Sequence, residues 1–330
     1  MASQISIREA LPQDNDALID LELRSPLVVG DTLETFDRAP DFFACHRVQP
    51  QHRVVLAEVD GHVAGVMAGV LQTPQIQGRP KQLVYIQRAR VDPEFQGQKV
   101  AWNLANELFR WSHDLGAEGP YYLILPGNER SVAFGGRAGR RWPVDVRLIG
   151  YDVSQAGPAS ADEITERDLP DVVELVNGTH AGEDLFEPLT IESLRERLGR
   201  DSRYTQKDLR GARDAGRLVA VAGLWDKGAT TEAIHVNART GEETRSRSTS
   251  VTDWGYAPGY EEAFAGLLRS LAARTRTLGR GTMTACEPAP GALPDPGLPS
   301  QVTDVSLFTP SFDPPEAAAI GGIYVDLLTV

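Results

Sequence analysis

The sequence predicts an α/β protein of the α+β kind, laid out as two tandem copies of one unit, each a mixed, mostly antiparallel sheet flanked by helices. Three observations predict it. The chain has 330 residues, more than one hydrophobic core usually serves. Helix-like and strand-like segments come in the same order twice, and a breaker-rich stretch, SQAGPASADE at 154–163, separates the two runs.

Each element repeats. Asp14 stands as a helix cap ahead of Leu18 and Leu21 at helical spacing, and Asp168, Val172 and Leu175 restate the arrangement 154 residues on. HRVVLAEVDGHVAGVMAGV (52–70) is two β-rich runs about Asp60-Gly61, a dipeptide suited to a tight hairpin; LRGARDAGRLVAVAGLW (209–225) does the same about Asp214-Ala215-Gly216. The third repeat is a strand, a proline, a short loop and a helix closed by Leu-Gly. LVYIQRARV leads to Pro93 and a helix with Ala101, Leu104, Ala105, Leu108, Trp111 and Leu115 on one side, ending at Gly116. VTDWGYA leads to Pro258 and to Phe264, Leu267, Leu268, Leu271 and Leu278 before Gly279. The helices superpose at an offset of 163 and the prolines at 165, so the second loop is two residues shorter. The repeats place one domain at 1–153, a linker at 154–163 and a second domain at 164–330. Within the latter, the proline-dense EPAPGALPDPGLPSQ (287–301) is expected to be a loop.

Composition narrows the function classes. A net charge of -13 and a pI near 5.0 exclude nonspecific nucleic-acid binding, which needs a basic surface. No apolar run approaches the roughly 18 residues that span a bilayer, and MASQISIREA lacks a basic region followed by an apolar one, so a cytoplasmic protein without membrane association is expected. Cys45 and Cys286 belong to no CxxC or Cys/His cluster, so neither a disulfide framework nor a metal site is expected.

The segment PEFQGQKVA (93–101) feeds directly into a helix, where backbone N–H groups and the positive end of the helix dipole converge on an anion; a diphosphate is the natural guest. No GxGxxG follows the first strand, against a dinucleotide fold. PEFQGQKVA resembles the acyl-CoA pyrophosphate loop of the GNAT acyltransferase superfamily, P-x-[YF]-[RQ]-[GR]-x-G-[IVL]-[GA], at Pro93, Phe95, Gln96, Gly97, Val100 and Ala101, with Lys99 in place of the central glycine. After the strand YYLILPGN, NERSVAFGGRAGRR resembles the family's N-x-x-[AS]-x-x-[FL]-Y-x-[KR]-x-G-F segment at Asn128, Ser131, Phe134, Arg137 and Gly139. The resemblance covers residues 4–150; over 162–330 it rests on the duplicated order. There the matching loop PGYEEAFAG carries Glu261 and Glu262, which would repel a diphosphate, so the second copy is expected to be degenerate.

The resemblance implies two tandem GNAT-like domains, the first an N-acyltransferase. Its donor is acetyl-CoA or another acyl-CoA, or the phosphopantetheine of an acyl carrier protein, and its acceptor is an amine of a small molecule or peptide. Gln96, Gly97, Gln98, Lys99, Val100 and Ala101, with Asn128 and Ser131, are the implied donor-binding residues. The strand before the loop is expected to splay from its neighbour, leaving the backbone of Ala89, Arg90 and Val91 to pair with pantetheine amides and an N–H near Val91 to stabilise an oxyanion. Glu58 is the carboxylate best placed for a general base. The family's tyrosine acid falls on Gly135, which leaves Tyr122, with Tyr121 beside it, as stand-in. Asp31, Glu34, Asp37 and Asp41 fall on the family's substrate-facing segments and would draw in a cationic amine. Arg137, Arg140 and Arg141 are set against the adenosine-side phosphate, and His46, His52, His62 and His113 are read as structural or exposed. If position 99 needs a left-handed residue, lysine costs roughly 1–2 kcal/mol against glycine, while an ammonium–phosphate bond returns about 1.5–3 kcal/mol. The second domain is expected to shape the acceptor site or a homodimer surface. The alternative on the same fold is an inert acyl-CoA-binding sensor or scaffold.

Overall fold

A computed structural model describes residues 5–329. The first half runs β1 (Ile5–Glu9), α1 (Asn15–Arg24), β2 (Leu27–Val29), β3 (Thr32–Asp37), β4 (His52–Val59), β5 (His62–Gln72), two short strands β6 (Gln75–Ile76) and β7 (Arg79–Pro80), β8 (Leu83–Val91), α2 (Val100–Asp114), β9 (Gly119–Ile124), α3 (Glu129–Ala138), β10 (Arg140–Arg141) and β11 (Val146–Asp152). The second runs β12 (Asp162–Glu163), α4 (Leu169–Thr179), α5 (Ile191–Gly199), β13 (Leu209–Asp214), β14 (Arg217–Trp225), β15 (Glu232–Asn237), β16 (Glu243–Ser246), β17 (Ser248–Tyr256), α6 (Glu261–Thr277), β18 (Thr282–Glu287) and β19 (Ser300–Thr309). No helix among the described residues is long and apolar enough to cross a membrane.

Local chemistry sets these elements. Asp60 and Gly61 have φ of 50° and 85°, the pair of left-handed residues that a two-residue hairpin turn requires, and they close β4 onto β5 with Val59 opposite His62. Ala215 and Gly216, at 46° and 85°, close β13 onto β14 in the same way. The apolar stripe of α2, Val100, Leu104 and Leu108, packs on Val84 and Ile86. Gly65 lets it sit close: a Cβ there would come within 2.8 Å of Val100 Cγ1 and 2.9 Å of the Arg90 carbonyl oxygen.

The two copies share one mixed, mostly antiparallel sheet of 13 strands, ordered β1-β4-β5-β8-β9-β19-β11-β18-β17-β14-β13-β12, with β10 on β19. Its centre is an exchange. β19, the last strand of the second half, pairs with β9 of the first, and β11, the last strand of the first half, pairs with β18 of the second. β11 and β19 then pair with each other, Val146 opposite Val305. A four-stranded sheet, β16-β15-β3-β2, ties the halves a second time through β3 against β15.

Each half also carries a parallel pair that stops short. β8 and β9 pair only from Leu83–Gly119 to Ile86–Tyr122. β17 and β18 pair only from Ser248–Thr282 to Ser250–Thr284. Just beyond each stop the longer strand bulges against its other neighbour, with Arg88 (φ 55°) and Asp253 (φ 46°) left-handed. These two residues are 165 apart, the offset of the prolines.

Candidate active site

The first splay opens beside the predicted loop. Beyond Ile86 no β9 partner faces Ala89, Arg90 or Val91; Ala89 is exposed, and the bonds made there are local, from Arg90 Nη1 to the Ala89 carbonyl (2.9 Å) and from Gln96 Nε2 to the Val91 carbonyl (3.4 Å). Pro93–Phe95 forms a 3₁₀ turn capped by Asp92, whose Oδ1 accepts from the Glu94 N–H at 2.9 Å. Gly97 follows at φ 80° and Lys99 at φ 66°, ψ 12°, the left-handed cap of α2. Lysine thus holds the conformation that the family's glycine would adopt. Gln96, Gly97, Gln98 and Lys99 are exposed, while Val100, the first residue of the helix, is buried and Ala101 after it is half-buried. The N–H groups of Val100, Ala101 and Trp102, in the first turn of a helix, have no intrahelical acceptor.

Helix α3 reaches the same loop. Arg130 Nη1 donates to Gln96 Oε1 at 2.6 Å, and Trp102 meets Phe134 edge to face at 6.2 Å between centroids. Asn128 and Ser131, expected as donor contacts, form the cap of α3: Asn128 Oδ1 accepts the Ser131 N–H at 3.1 Å. Of the three arginines set against a phosphate, Arg141 is bound to Asp145 at 2.9 Å and Arg140 to Asp313, while Arg137 is exposed.

The corresponding groups of the second half are occupied. Trp254, Gly255 and Tyr256 stand where Ala89, Arg90 and Val91 do in the first copy. The end of α4 covers them: His180 Nε2 bonds the Trp254 carbonyl at 2.9 Å, and Thr179 Oγ1 accepts the Tyr256 N–H at 2.9 Å. A Cβ on Gly255 would lie 2.4 Å from the Leu175 carbonyl oxygen, so the helix rests directly on that strand. At the shortened loop, Glu261 Oε1 accepts the Gly259 N–H at 3.2 Å, and Arg269 holds Glu262 at 2.8 Å. Both carboxylates lie at the start of α6, where a diphosphate would have to approach.

Residues 16–139 match the model of the acetyltransferase (GNAT) family. The matched segment spans the loop and the splay just described, and over it the chain is similar to GNAT acetyltransferases. Solved structures of the same fold extend over both halves. N-myristoyltransferase of Saccharomyces cerevisiae with bound myristoyl-CoA aligns at a TM-score of 0.65 and 12% identity, covering 93% of this chain and 79% of that one. A GCN5-related N-acetyltransferase from Sphaerobacter thermophilus aligns at 0.58 and 15%, covering 99% and 98%. No curated protein matches the sequence.

Tyr122 is buried, stacks on Phe308 at 5.7 Å, and donates its hydroxyl to the Gly135 carbonyl at 3.1 Å; burial pushes that hydroxyl up to about 12. Gly135, where the family has tyrosine, is closely packed: a Cβ would meet the end of the Ile124 side chain at 2.8 Å and the Tyr122 ring at 3.2 Å, so both would have to shift to admit one. Tyr121 is turned the other way, into a bond with Gln72. Glu58 is held by Arg8 at 2.7 Å, and Arg8 also binds Asp14. The expected acidic funnel is likewise engaged. Asp31 pairs with Arg239 at 2.7 Å and Asp41 with Arg47, Glu34 lies 3.9 Å from His235, and Asp37 Oδ1 accepts the Ala39 N–H.

A cluster of buried polar side chains on the α1 side of the splay was not foreseen from sequence. His46 is fully buried; Gln49 Oε1 lies 3.0 Å from its Nδ1 and its Nε2 has no partner. Burial, then Arg88, push His46 well below its ordinary pKa, so the ring is neutral. Gln87 Nε2 donates to Gln49, Gln49 Nε2 to the Thr329 carbonyl, and Gln72 Nε2 to Thr329 Oγ1, so Thr329 joins the cluster. Glu22, fully buried, accepts from Arg38 Nε at 2.6 Å. Burial opposes its charge, but Arg38, Arg90 and Arg88 outweigh burial and hold it below the usual carboxylate range. Arg38 also donates to Thr231 at 2.6 Å, and Lys227, four residues before Thr231, is pulled down to about 8 by burial, Arg88 and Arg38. A lone histidine and scattered glutamines carry no spacing signal, which is why the cluster was illegible.

Proposed function

We propose that the first half transfers an acyl group from a pantetheine thioester to an amine, with the second half as a scaffold that closes the acceptor side. The observation that carries this reading is the contrast between the two splays. One keeps its strand backbone and helix start open beside a GNAT loop, and the other has both covered by its own side chains and backbone.

In this reading the N–H groups of Val100 and Ala101, with the ammonium of Lys99, hold the diphosphate of acyl-CoA, and Arg130 braces Gln96 beneath it. Ala89 to Val91 pair with the pantetheine arm. The amine nitrogen attacks the thioester carbonyl, a C–N bond forms, the C–S bond breaks, and the thiolate leaves with the electron pair while the nitrogen gives up a proton. A thiol of pKa about 8.5 departs as thiolate unaided, so the bond that Tyr122 spends on Gly135 need not be broken for turnover. No role as base is assigned to Glu58, which Arg8 occupies. An acyl carrier protein brings the same arm with one phosphate fewer, and the likeness to a myristoyl-CoA-bound structure supports testing long acyl chains as well as acetyl.

The test is calorimetric titration with acetyl-CoA, myristoyl-CoA and an acyl carrier protein thioester, followed by thiol release with a panel of amines. Binding with amine-dependent release is expected. Tight binding without transfer would give the sensor reading, and no binding of any thioester would overturn both.

A further inference from the structure

Arg88 sits at the bulge of the open splay, half-buried and left-handed at φ 55°. Among the described residues it makes no hydrogen bond and no ion pair, and its Nε is buried without a partner. Arg90 is buried, with 8% of its surface exposed; it gives Nη1 to the carbonyl of Ala89, lies over Phe36 at 5.5 Å, and leaves its own Nε unpartnered. Among the described residues, Glu22, the carboxylate whose charge reaches both, is taken by Arg38. Each guanidinium thus buries an Nε without a partner and touches no described carboxylate, an arrangement that an arriving anion would relieve. Glu22 Oε1 and His46 Nε2 in the same buried cluster also lack partners among the described residues, and exposed Ala89 lies between the two arginines in sequence.

The second copy supplies an internal control. At the same left-handed bulge it has Asp253, with Arg197 Nε at 3.3 Å and the Tyr204 hydroxyl at 2.6 Å. Arg197 also pairs with Asp326, and the set leaves a cavity of about 20 Å³, the room of one water. Among the described residues, one bulge is neutralised from within the chain and the other is left positive.

We propose that Arg88 and Arg90 form an anion-binding subsite beside the open splay, and that the amine acylated there carries a carboxylate held by these two guanidiniums. The subsite stands on the geometry alone, whereas its assignment to the acceptor rests on the acyl-transfer reading above.

The test has a binding arm and a turnover arm, both with the full chain. N-acetyl amino acids and their amides, which differ only in the carboxylate, are titrated into the wild type, Arg88→Met and Arg88→Lys. The acid is expected to bind about 10- to 100-fold tighter than the amide, as charge-assisted bonds to a buried guanidinium imply. Arg88→Met should abolish that preference and Arg88→Lys restore part of it, with acetyl-CoA affinity unchanged as the control for folding. Equal binding of acid and amide, no binding of either, or a preference that survives Arg88→Met would overturn the subsite. In the turnover arm, free amino acids should exceed their amides in kcat/KM by a similar factor. Turnover without that preference would overturn the acceptor assignment while leaving acyl transfer intact. If no amine is acylated, acyl transfer itself fails and the binding arm decides the subsite alone. A preference for succinyl-CoA over butyryl-CoA that Arg88→Met removes would place the carboxylate on the acyl group and overturn its assignment to the acceptor.

Discussion

Replacing Lys99 by glycine changes two quantities in opposite directions. Lys99 is held at φ 66°, ψ 12°, a conformation that costs a side-chain-bearing residue about 1–2 kcal/mol. Glycine removes that cost but gains freedom in the unfolded chain worth about 0.5–1 kcal/mol, which leaves a net stabilisation of about 0.5–1 kcal/mol. For a chain of this size that raises Tm by about 1–3 °C. The donor loses a charge-assisted bond, and because Lys99 is exposed the lower end of the range applies, about 1.4 kcal/mol or tenfold in Kd. Lys99→Met separates the two effects, since it keeps the backbone strain and removes the charge: Tm should stay put and acetyl-CoA should bind about tenfold more weakly. Thermal melts without ligand give the first quantity, and titrations at low and high salt give the second, with the gap narrowing as salt screens the ammonium. A Lys99→Gly protein that melts no higher would refute the strain argument. Wild-type affinity in Lys99→Met at low salt would refute the phosphate contact.

Other perturbations probe the site and its frame. Gly135→Ala presses a methyl on the movable end of Ile124 and on the Tyr122 ring but gains about 1 kcal/mol of helix propensity, so urea unfolding should change by less than about 1 kcal/mol; a loss beyond about 3 kcal/mol would show that the two side chains cannot shift. Tyr122→Phe should cost about 0.5–1.5 kcal/mol for its lost bond; a kcat within about threefold of wild type would support unaided thiolate departure, and a fall beyond 100-fold would make Tyr122 the acid. Arg38→Met strands the buried Glu22 and should cost about 3–5 kcal/mol. Because the pKa of Glu22 is lowered by folding, its contribution is full above the ordinary carboxylate range near pH 4.3 and is lost as pH falls through the depressed value. Acid unfolding of Glu22→Gln should therefore show a shallower loss there than the wild type. Asp253→Ala and Arg88→Met, at equivalent bulges, should diverge: the first breaks a buried ion pair and costs about 3–5 kcal/mol, and the second removes an unpaired charge and is neutral or stabilising in unfolding measurements.

Features carried by short-range chemistry were legible in the sequence. Asp60-Gly61 encodes its turn, the Leu104–Leu108 stripe its helix, and Pro93 with Gly97 the loop. The 165-residue offset of the prolines, read from sequence alone, also relates the two bulged strands, although the bulges themselves, at Arg88 and Asp253, had no composition to announce them. Side-chain roles transferred less well than backbone ones. Asn128 and Ser131 match the family motif and serve as a helix cap, a bond that any Asn-x-x-Ser at a helix start can make. Glu58 looked available because nothing in its own strand neutralises it; Arg8, which does, lies 50 residues earlier on the neighbouring strand. Asp31 and Glu34 looked like a funnel because Arg239 and His235, which engage them, come from the other half. Pairings at that separation depend on the closed sheet, and periodicity does not report them.

The exchange of β11 and β19 bears on how such a chain is built. It is the swap that two identical single-copy subunits would make across a two-fold axis, each lending its last strand to the other. Joining those subunits through residues 154–163 replaces an encounter that depends on concentration with a tether, at an effective concentration in the millimolar range for a short flexible link. Once tethered, the copies are free to diverge. One keeps its splay open for a guest, while the other turns its own side chains inward and becomes the wall.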